Sequence, residues 1–464
     1  MLRFHSKYMK KNNCISFFII MLLSFSIQAQ TKKWTLEECV KYAIDNNISI
    51  KQAELDSKTA AIDKKGAIGN FIPSLNSNAN HSWNIGLNTD PTTGLKRNQT
   101  TQYSSFGAGV GFDIYKGLQN QNTLRKANLS IIAAKYQLTK MQEDVALNVA
   151  NAFLQVLFNK ENLKVQQEQK ANNVKQLTRS EELVKAGSVP RGDLLDIKAT
   201  VASDGQRVVA AENALLISKL SLAQLLQLKD FFDFDVTDDT SIKDENNILA
   251  QTPIAVYDKA KEQRTELKIA KTNLEIAEKN VAIAKGAFQP TLQGFYNLNT
   301  QISYANVPAF DTNGNIIGTK SPASFSNQFM DNRGQAFGAQ LSIPIFNGFS
   351  TKNNVERSKV NLEKSKIAVE QEELALQRNV YTAFTDAKGG LNAYESSLAA
   401  LEARQEAYNY AKEKYAVGMM NSFDFNQSQT LLSTAQSEVL RTKYDYIFKI
   451  KILEFYFGIP ILKN

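Results

Sequence analysis

Histidine is nearly missing from this 464-residue chain, which has two, His5 and His81. That removes His-based catalytic triads, zinc sites and His-carboxylate iron sites from contention. A carboxylate-only enzyme survives this exclusion, but the sequence carries no paired-carboxylate signature. Cysteine is as scarce. Of Cys14 and Cys39, the first lies in an N-terminal leader, so a processed chain has no intrachain disulfide. No basic cluster stands out. The net charge of +8 falls to +4 once the leader's Arg3, Lys7, Lys10 and Lys11 are set aside, which does not point to nucleic acid. Beyond the leader no run approaches 18 consecutive apolar residues, so no helix is expected to cross a bilayer. Catalysis, cofactor and metal are all expected to be absent.

Glycine and proline are also missing from one long stretch, Leu118 to Ala186, flanked by Gly117 and Gly187. A helix over it would be about 100 Å long at 1.5 Å per residue. Leu124, Ala127, Ile131, Ala134, Leu138, Met141, Val145 and Ala152 follow the alternating three-and-four spacing of a coiled-coil seam. Sliding the chain by 231 positions finds the unit again. Phe106-Gly107-Ala108 falls on Phe337-Gly338-Ala339, Gly117 on Gly348, Phe153 on Phe384, Gly187 on Gly418 and Asp193 on Asp424. Heptads could align themselves by chance, but they would not align the glycines and strands as well. The second helix shows two seams: Val355, Leu362, Val369, Leu376 and Ala383, and, roughly 140° around, Val360, Ile367, Leu374 and Tyr381. One broad core-facing stripe would give a similar pattern. The polar residues between the seams (Ser358, Ser365, Glu372) favour a helix with two neighbours. Gly389-Gly390 interrupts this helix and predicts a break or kink.

In chain order, residues 1–29 read as a signal peptide. Lys10 and Lys11 form its charged end, Ile15 to Leu23 its apolar core, and Ala29 a plausible cleavage position. The first structural repeat spans 30–229, a linker 230–252, and the second repeat 253–464. Trp34 to Asn47 predicts a short amphipathic helix and Ser49 to Asn70 a second one. Their counterpart is Pro253 to Phe288, at an offset of 217. Four alternating runs come next: Ser74–Leu87, Ser105–Tyr115, Thr291–Ser303 and Gln335–Ile345. Each sets apolar residues against Asn, Gly, Gln or Ser, although Phe295 falls on the polar side. Each is long enough for the ~9–11 residues of a tilted membrane strand. A soluble hairpin with one wet face has the same period. The loops Asn88–Thr101 and Asn306–Arg333 are rich in turn-formers. Asp230 to Leu249 is acidic and aperiodic. If the strands lie in a membrane, four per chain cannot close, so copies must pool them.

The chain resembles TolC-like outer-membrane efflux proteins over essentially all of its length beyond the leader. The features that carry this are the opening LEECVKYAIDNN helix, Pro73 and Pro290 before the outgoing strands, and the aromatic-x-Gly strand endings at Tyr115–Gly117 and Phe346–Gly348. The duplicated turn with Asp six residues after Gly (Gly187/Asp193, Gly418/Asp424) completes the set. The resemblance implies a mainly α chain with membrane β. Three copies would form a trimeric 12-stranded outer-membrane β-barrel, four strands per chain, that continues into a long periplasmic α-helical barrel. The partners it implies are two further copies, outer-membrane lipid, a periplasmic adaptor (membrane fusion protein) and an inner-membrane efflux pump or transporter.

By position the resemblance places the gate at Asp424, with Gln427 standing where the family has a second acid. Asp193 and Asp196 hold the equivalent first-half positions. Both Asp193 and Asp424 could instead be N-caps of the return helices. At the turns, Gly187, Ser188, Val189, Gly418, Met419 and Met420 are small or apolar at an exposed tip, which predicts adaptor contact. The implied function is a passive export duct of a tripartite efflux or secretion system. The alternative is the adaptor itself, a coiled-coil protein of such a system. That class usually brings one hairpin and a compact β domain rather than a duplicated strand–helix unit.

Overall fold

The computed structural model describes residues 33–89, 94–229, 234–237 and 248–459. The signal peptide expected over residues 1–29 and most of the 230–252 linker lie outside the described residues. The elements in order are β1 (Lys33–Trp34), α1 (Leu36–Asn46), α2 (Ile48–Gly69), β2 (Ser74–Thr89), β3 (Lys96–Lys116), α3 (Gln119–Lys185), α4 (Arg191–Leu226) and β4 (Asp235–Val236). A short 3-10 turn (Ile248–Ala250) leads to α5 (Pro253–Gln263), α6 (Thr265–Gly286), β5 (Thr291–Ser303), β6 (Val307–Phe310), β7 (Ile316–Lys320), α7 (Phe325–Asp331), β8 (Gly334–Ser342), α8 (Ser350–Ala416) and α9 (Ser422–Phe457). The expected class is found: long helices with a four-stranded sheet, in two copies of one plan. The chain forms two compact units, 1–51 with 141–262 and 377–464, and 52–140 with 263–376.

The helical unit is built on a core of Val149, Phe153, Leu157, Leu222, Leu226 and Leu453, all essentially inaccessible. Its entrance is fixed by a capping box on α1. Thr35 Oγ1 accepts from the Glu38 N–H at 3.1 Å, and Glu38 Oε2 accepts from the Thr35 N–H at 3.1 Å. Part of the stretch read as an aperiodic linker is ordered. Asp235 and Val236 pair in parallel with Lys33 and Trp34, and Trp34 packs on Tyr42 and Phe234. Asp235 meets Lys219 from α4 at 3.0 Å and Lys160 from α3 at 3.5 Å. Burial would raise its carboxyl, but the Lys219 hydrogen bond and the two lysine charges outweigh that and hold it below its ordinary 3.8.

Two helix expectations change. The second-half counterpart of α1 and α2 is two helices, broken at Arg264, the equivalent of Asn47. Arg264 is buried and paired with Glu266 at 3.0 Å. Gly389-Gly390 does not break α8, which is helical from Ser350 to Ala416. Gly389 faces open space, while a Cβ on Gly390 would meet Tyr446 Cα at 3.4 Å. The glycine thus serves close packing with α9 rather than a kink. One helix, α4, does have an 18-residue window of mean hydropathy 1.3, apolar enough to cross a membrane by length and composition. Averaging tolerates the isolated polar residues that a count of consecutive apolar ones does not. It packs on α1 and α9 inside the helical unit.

In the strand unit the sheet order is β2-β3-β5-β8, antiparallel throughout. The strands reach further into the loops than the sequence pattern suggested, because β2 continues to Thr89 and β3 begins at Lys96. The second loop is not structureless either. It holds the β6–β7 hairpin and α7, whose Phe325 and Phe329 pack on Phe106. Of the two rows expected on α8, one is covered within the unit and the other stands exposed. In this unit Val355 and Leu376 are buried, while Val360, Ile367 and Leu374 are each more than half exposed. One broad stripe would have buried both rows.

Adjacent glycines in α8 should therefore respond oppositely. Gly389→Ala removes backbone entropy without a clash and should stabilise by about 0.5–1 kcal/mol. Gly390→Leu overpacks the α9 contact and should cost about 1–3 kcal/mol. Apparent melting temperatures in detergent, read from the helical circular dichroism signal, distinguish the two. Asp235→Asn should cost about 2 kcal/mol at neutral pH. Because its folded pKa is lowered from 3.8, this contribution is complete above that value and is lost as pH falls below it. The gap in melting temperature between wild type and Asp235→Asn should close on acidification below that point. A gap unchanged there would exclude the carboxylate as its source.

Candidate functional site: the sheet faces and the helix turns

The sheet has two chemically different faces. On one, Leu75, Trp83, Ile85, Phe337 and Leu341 stand exposed, Ile85 at 82% and Phe337 at 83%. On the other lie Gln340 and, around an open trough of about 750 Å³ beside Gly107, Gly109 and Gly111, Asn76, Asn78, Asn297 and Asn299. The asparagines lie flat over glycines of neighbouring strands. A Cβ on Gly107 would come within 2.7 Å of Asn78 Oδ1, and one on Gly109 within 2.7 Å of Asn297 Oδ1. Phe295, the residue that broke the alternation, does face the polar side. It is tolerated because its cross-strand partners are Gly111 and Gly338, and its ring covers Gly338. Asp113 ends this face, bound by Lys116 and Gln293, each at 2.9 Å. His81 sits on the apolar face. Its ring nitrogens meet Ser104 Oγ at 2.7 Å and Gln102 Nε2 at 2.9 Å, with Trp83 and Tyr304 beside it. The histidine is thereby accounted for as part of an aromatic-rich patch, the kind that lines a membrane interface.

The two turns of the helical unit share one backbone. Gly187 (φ +69°) donates its N–H to Val184 O at 3.0 Å, and Ser188 donates to Leu183 O at 2.9 Å. Gly418 (φ +76°) donates to Tyr415 O at 3.2 Å, and Met419 to Lys414 O at 2.9 Å. These are Schellman caps, and only glycine takes the left-handed position without strain. After them the halves diverge. Ser188 is exposed and Val189 half-buried, whereas Met419 is 76% exposed and joined by exposed Val417 and Phe423. Met420 is half-buried.

The N-cap alternative for the aspartates is overturned. The caps are Pro190 and Asn421, one position before each helix. Asn421 Oδ1 accepts the Asp424 N–H at 2.8 Å, and Asn421 Nδ2 donates to the Asp424 carboxylate at 2.9 Å. Asp193 and Asp424 both occupy the third helical position, where a carboxylate suits the positive helix end. Asp196 and Gln427 come one turn later on the same faces. Asp196, Asp424 and Gln427 are exposed and Asp193 is half-buried. The feature that holds the second turn was missed from the sequence. Buried Phe425 stacks on Tyr415 at 4.6 Å and on Tyr408 at 5.8 Å, and burial raises the Tyr408 phenol above its ordinary 10.0. The Asn-x-x-Asp pattern at Asn421 was a legible cap signal. The aromatic stack was not. Among the described residues no cluster of His, Cys, Asp or Glu could hold a metal ion.

Comparison with known proteins agrees with this geometry. The sequence matches the family model described as outer membrane efflux protein over residues 40–227 and again over 256–451. No curated protein sequence matches significantly. Among solved structures, a membrane protein from Pseudomonas aeruginosa is similar, with a TM-score of 0.77 and 17% identity, over 91% of this chain and 92% of that one. The CmeC outer membrane channel of Campylobacter jejuni has a TM-score of 0.73 at 18% identity, over 91% and 85%. The outer membrane protein VceC of Vibrio cholerae has a TM-score of 0.71 at 15%, over 91% and 96%. At such identities these likenesses speak to the fold alone, whereas the family match covers both repeats. The chain is an outer-membrane transport protein rather than an enzyme, and it belongs to the outer membrane efflux protein family.

Proposed function

We propose that three copies of this chain form a passive export duct of a tripartite efflux or secretion system. Its β-sheets cross the outer membrane and its helices stand in the periplasm. The observation that carries this reading is the sheet itself. It has an apolar exposed face suited to lipid, a polar face suited to a water-filled lumen, and only four strands. Four cannot close, and an open edge is not tolerated in hydrocarbon. Three sets of four make twelve, an even number within the range known for such barrels. The adaptor alternative gains nothing from the family match.

The helix turns are the proposed working end. Gly418, Met419 and Met420, with Gly187, Ser188 and Val189, meet a periplasmic adaptor, which links the duct to an inner-membrane pump that supplies the energy. The exposed apolar group of Met419, Val417 and Phe423 supports this for the second turn. The first turn is smaller and more polar, so its share in contact is mainly steric fit. Asp424, carried on the first turn of α9, forms the gate. Three copies around an axis crowd like charge and attract cations. With Gln427 in place of a second acid, this ring carries half the charge of a two-acid gate. Asp193 and Asp196 are the first-half members of the same constriction.

Two measurements test these roles. In planar bilayers Asp424→Ala should weaken block by multivalent cations about tenfold, equivalent to ~1.4 kcal/mol. Unchanged block would remove Asp424 from the gate. Met419→Glu should abolish site-specific crosslinking to the adaptor while leaving conductance intact. Crosslinking that survives the charge would place the adaptor elsewhere.

A further inference from the structure

β8 is the shortest strand of the four-stranded sheet and covers only part of β5. Its first residue, Gly334, lies opposite Asn299, while β5 runs on to Ser303. Thr300 to Ser303 therefore pair with β3 on one side and with no strand on the other. α7 takes the place of the missing strand. Both ends of the Gln328 amide close on Ser303: Oε1 accepts its N–H at 3.0 Å, and Nε2 donates to its carbonyl at 3.0 Å. Asn332 Nδ2 donates to the Gln301 carbonyl at 2.6 Å. A strand edge in water needs no such partner, because solvent supplies one. An edge beside lipid does need it.

The helix lies on the apolar face of the sheet. Phe106 pairs with Ala79 and Thr300, so all three share the face of Leu75 and Trp83. Phe325 and Phe329 pack on the Phe106 ring at 5.9 and 5.5 Å, and the Thr300 hydroxyl donates to the Phe329 carbonyl at 3.0 Å. Ile302, on the same face, is inaccessible. One and two strand pairs further along stand His81, Trp83 and Tyr304. The His81 ring lies 4.2 Å from Trp83 and 5.7 Å from Tyr304. α7 thus extends the aromatic patch of the apolar face. A lid over the lumen would pack on the asparagine face instead.

What this segment leaves uncovered is amphipathic. Phe325 is 48% exposed and Met330 51%, next to exposed Ser326, Asn327 and Asp331. The β6–β7 hairpin that joins β5 to α7 pairs Phe310 with Ile316 and leaves both exposed, together with Ile317. Its tip is polar and folded on itself. Asp311 Oδ1 accepts the N–H groups of Asn313 and Asn315 at 2.9 and 2.8 Å. Apolar side chains on the shank, with carboxylates and amides beyond them, match the boundary between acyl chains and headgroups. The apolar part continues the sheet face assigned above to lipid.

We propose that α7 and the β6–β7 hairpin are a lipid-binding anchor, seated in the outer leaflet of the outer membrane on the outward side of the sheet. Phe325, Met330, Phe310, Ile316 and Ile317 enter the acyl boundary. Asp331 and the tip at residues 311–315 stay with headgroups and water. Gln328 and Asn332 hold the helix in place and seal the β5 edge against hydrocarbon. The inference rests on the duct reading, which puts the sheet in the membrane. It adds that the longer loop binds lipid instead of closing the lumen.

The test is spin labelling of full-length protein carrying Cys39→Ala, reconstituted in vesicles of phosphatidylethanolamine and phosphatidylglycerol. Nitroxides are placed singly at Ile317→Cys, Phe325→Cys and Met330→Cys. Leu341→Cys on the sheet's apolar face and Asn313→Cys at the hairpin tip serve as references. Power saturation compares collisions with oxygen, which concentrates in lipid, and with a nickel chelate, which stays in water. The oxygen-to-nickel ratio at the three positions should exceed that of Asn313→Cys by about fivefold, and Leu341→Cys should be at least as high. Adding Gln328→Leu should bring the ratio at Met330→Cys down to that of the tip and leave Leu341→Cys unchanged. Tip-like ratios at all three positions, with Leu341→Cys in lipid, overturn the anchor. Labels shielded from both relaxants overturn lipid as the occupant, because protein then covers them. A ratio at Met330→Cys that survives Gln328→Leu overturns the Gln328 clamp. A tip-like ratio at Leu341→Cys overturns the duct reading itself.

Discussion

In hydrocarbon every backbone N–H and C=O must find its partner within protein. Within its sheet this chain meets that requirement. The sheet supplies the pairs inside each strand unit and leaves two edges unpaired. Side chains adapt to the same constraint. Apolar residues occupy the face that would meet lipid, and much of the opposite face is kept low and polar by asparagines lying over glycines. Glycine is needed there for space rather than for flexibility. Its missing Cβ lets an amide, or in one place the Phe295 ring, cover the neighbouring strand.

The helical unit works under a different rule. Water can satisfy its turns, so its ends are free to specialise. Both halves keep the same glycine cap because the chain must reverse in a few residues. Beyond that cap they differ: Pro190 opens one return helix and Asn421 the other. The second turn gains an aromatic brace from Tyr408, Tyr415 and Phe425, and a protruding apolar group around Met419. Duplication thus supplied two equal turns, and later substitution made them unequal. Between the repeats, β4 is held against the helices by the Asp235 carboxylate shared between two lysines.

Much of this was legible beforehand. The constant offset between repeats located both long helices, both turns and three of the four strands to within a few residues, since a duplicated period carries its own internal check. The buried row of α8 was readable because heptads record which side of a helix is covered. Other features were not legible. The break at Arg264 accompanies a buried guanidinium paired with Glu266. The unbroken path through Gly389 and Gly390 depends on the neighbour that packs beside it. The ordering of β4 depends on partners far away in sequence. The aspartates were recognised as residues beginning the return helices, but their position relative to the cap is a matter of one residue, which spacing alone does not fix.

By itself, then, the sequence determined the periodicities: strand against helix, apolar face against polar face, and the twofold repetition of the whole plan. These are local properties, written in steps of two, three-and-a-half or two hundred and more residues. Tertiary structure decided which neighbour each surface meets. Gly117 and Gly286 press together while Gly348 and Gly69 stand open, although the backbones around them match. Repeats that match this closely give nearly equal surfaces, and a chain of two repeats can join only one pair of them. Only the folded arrangement reveals which pair is joined and which edge is left over.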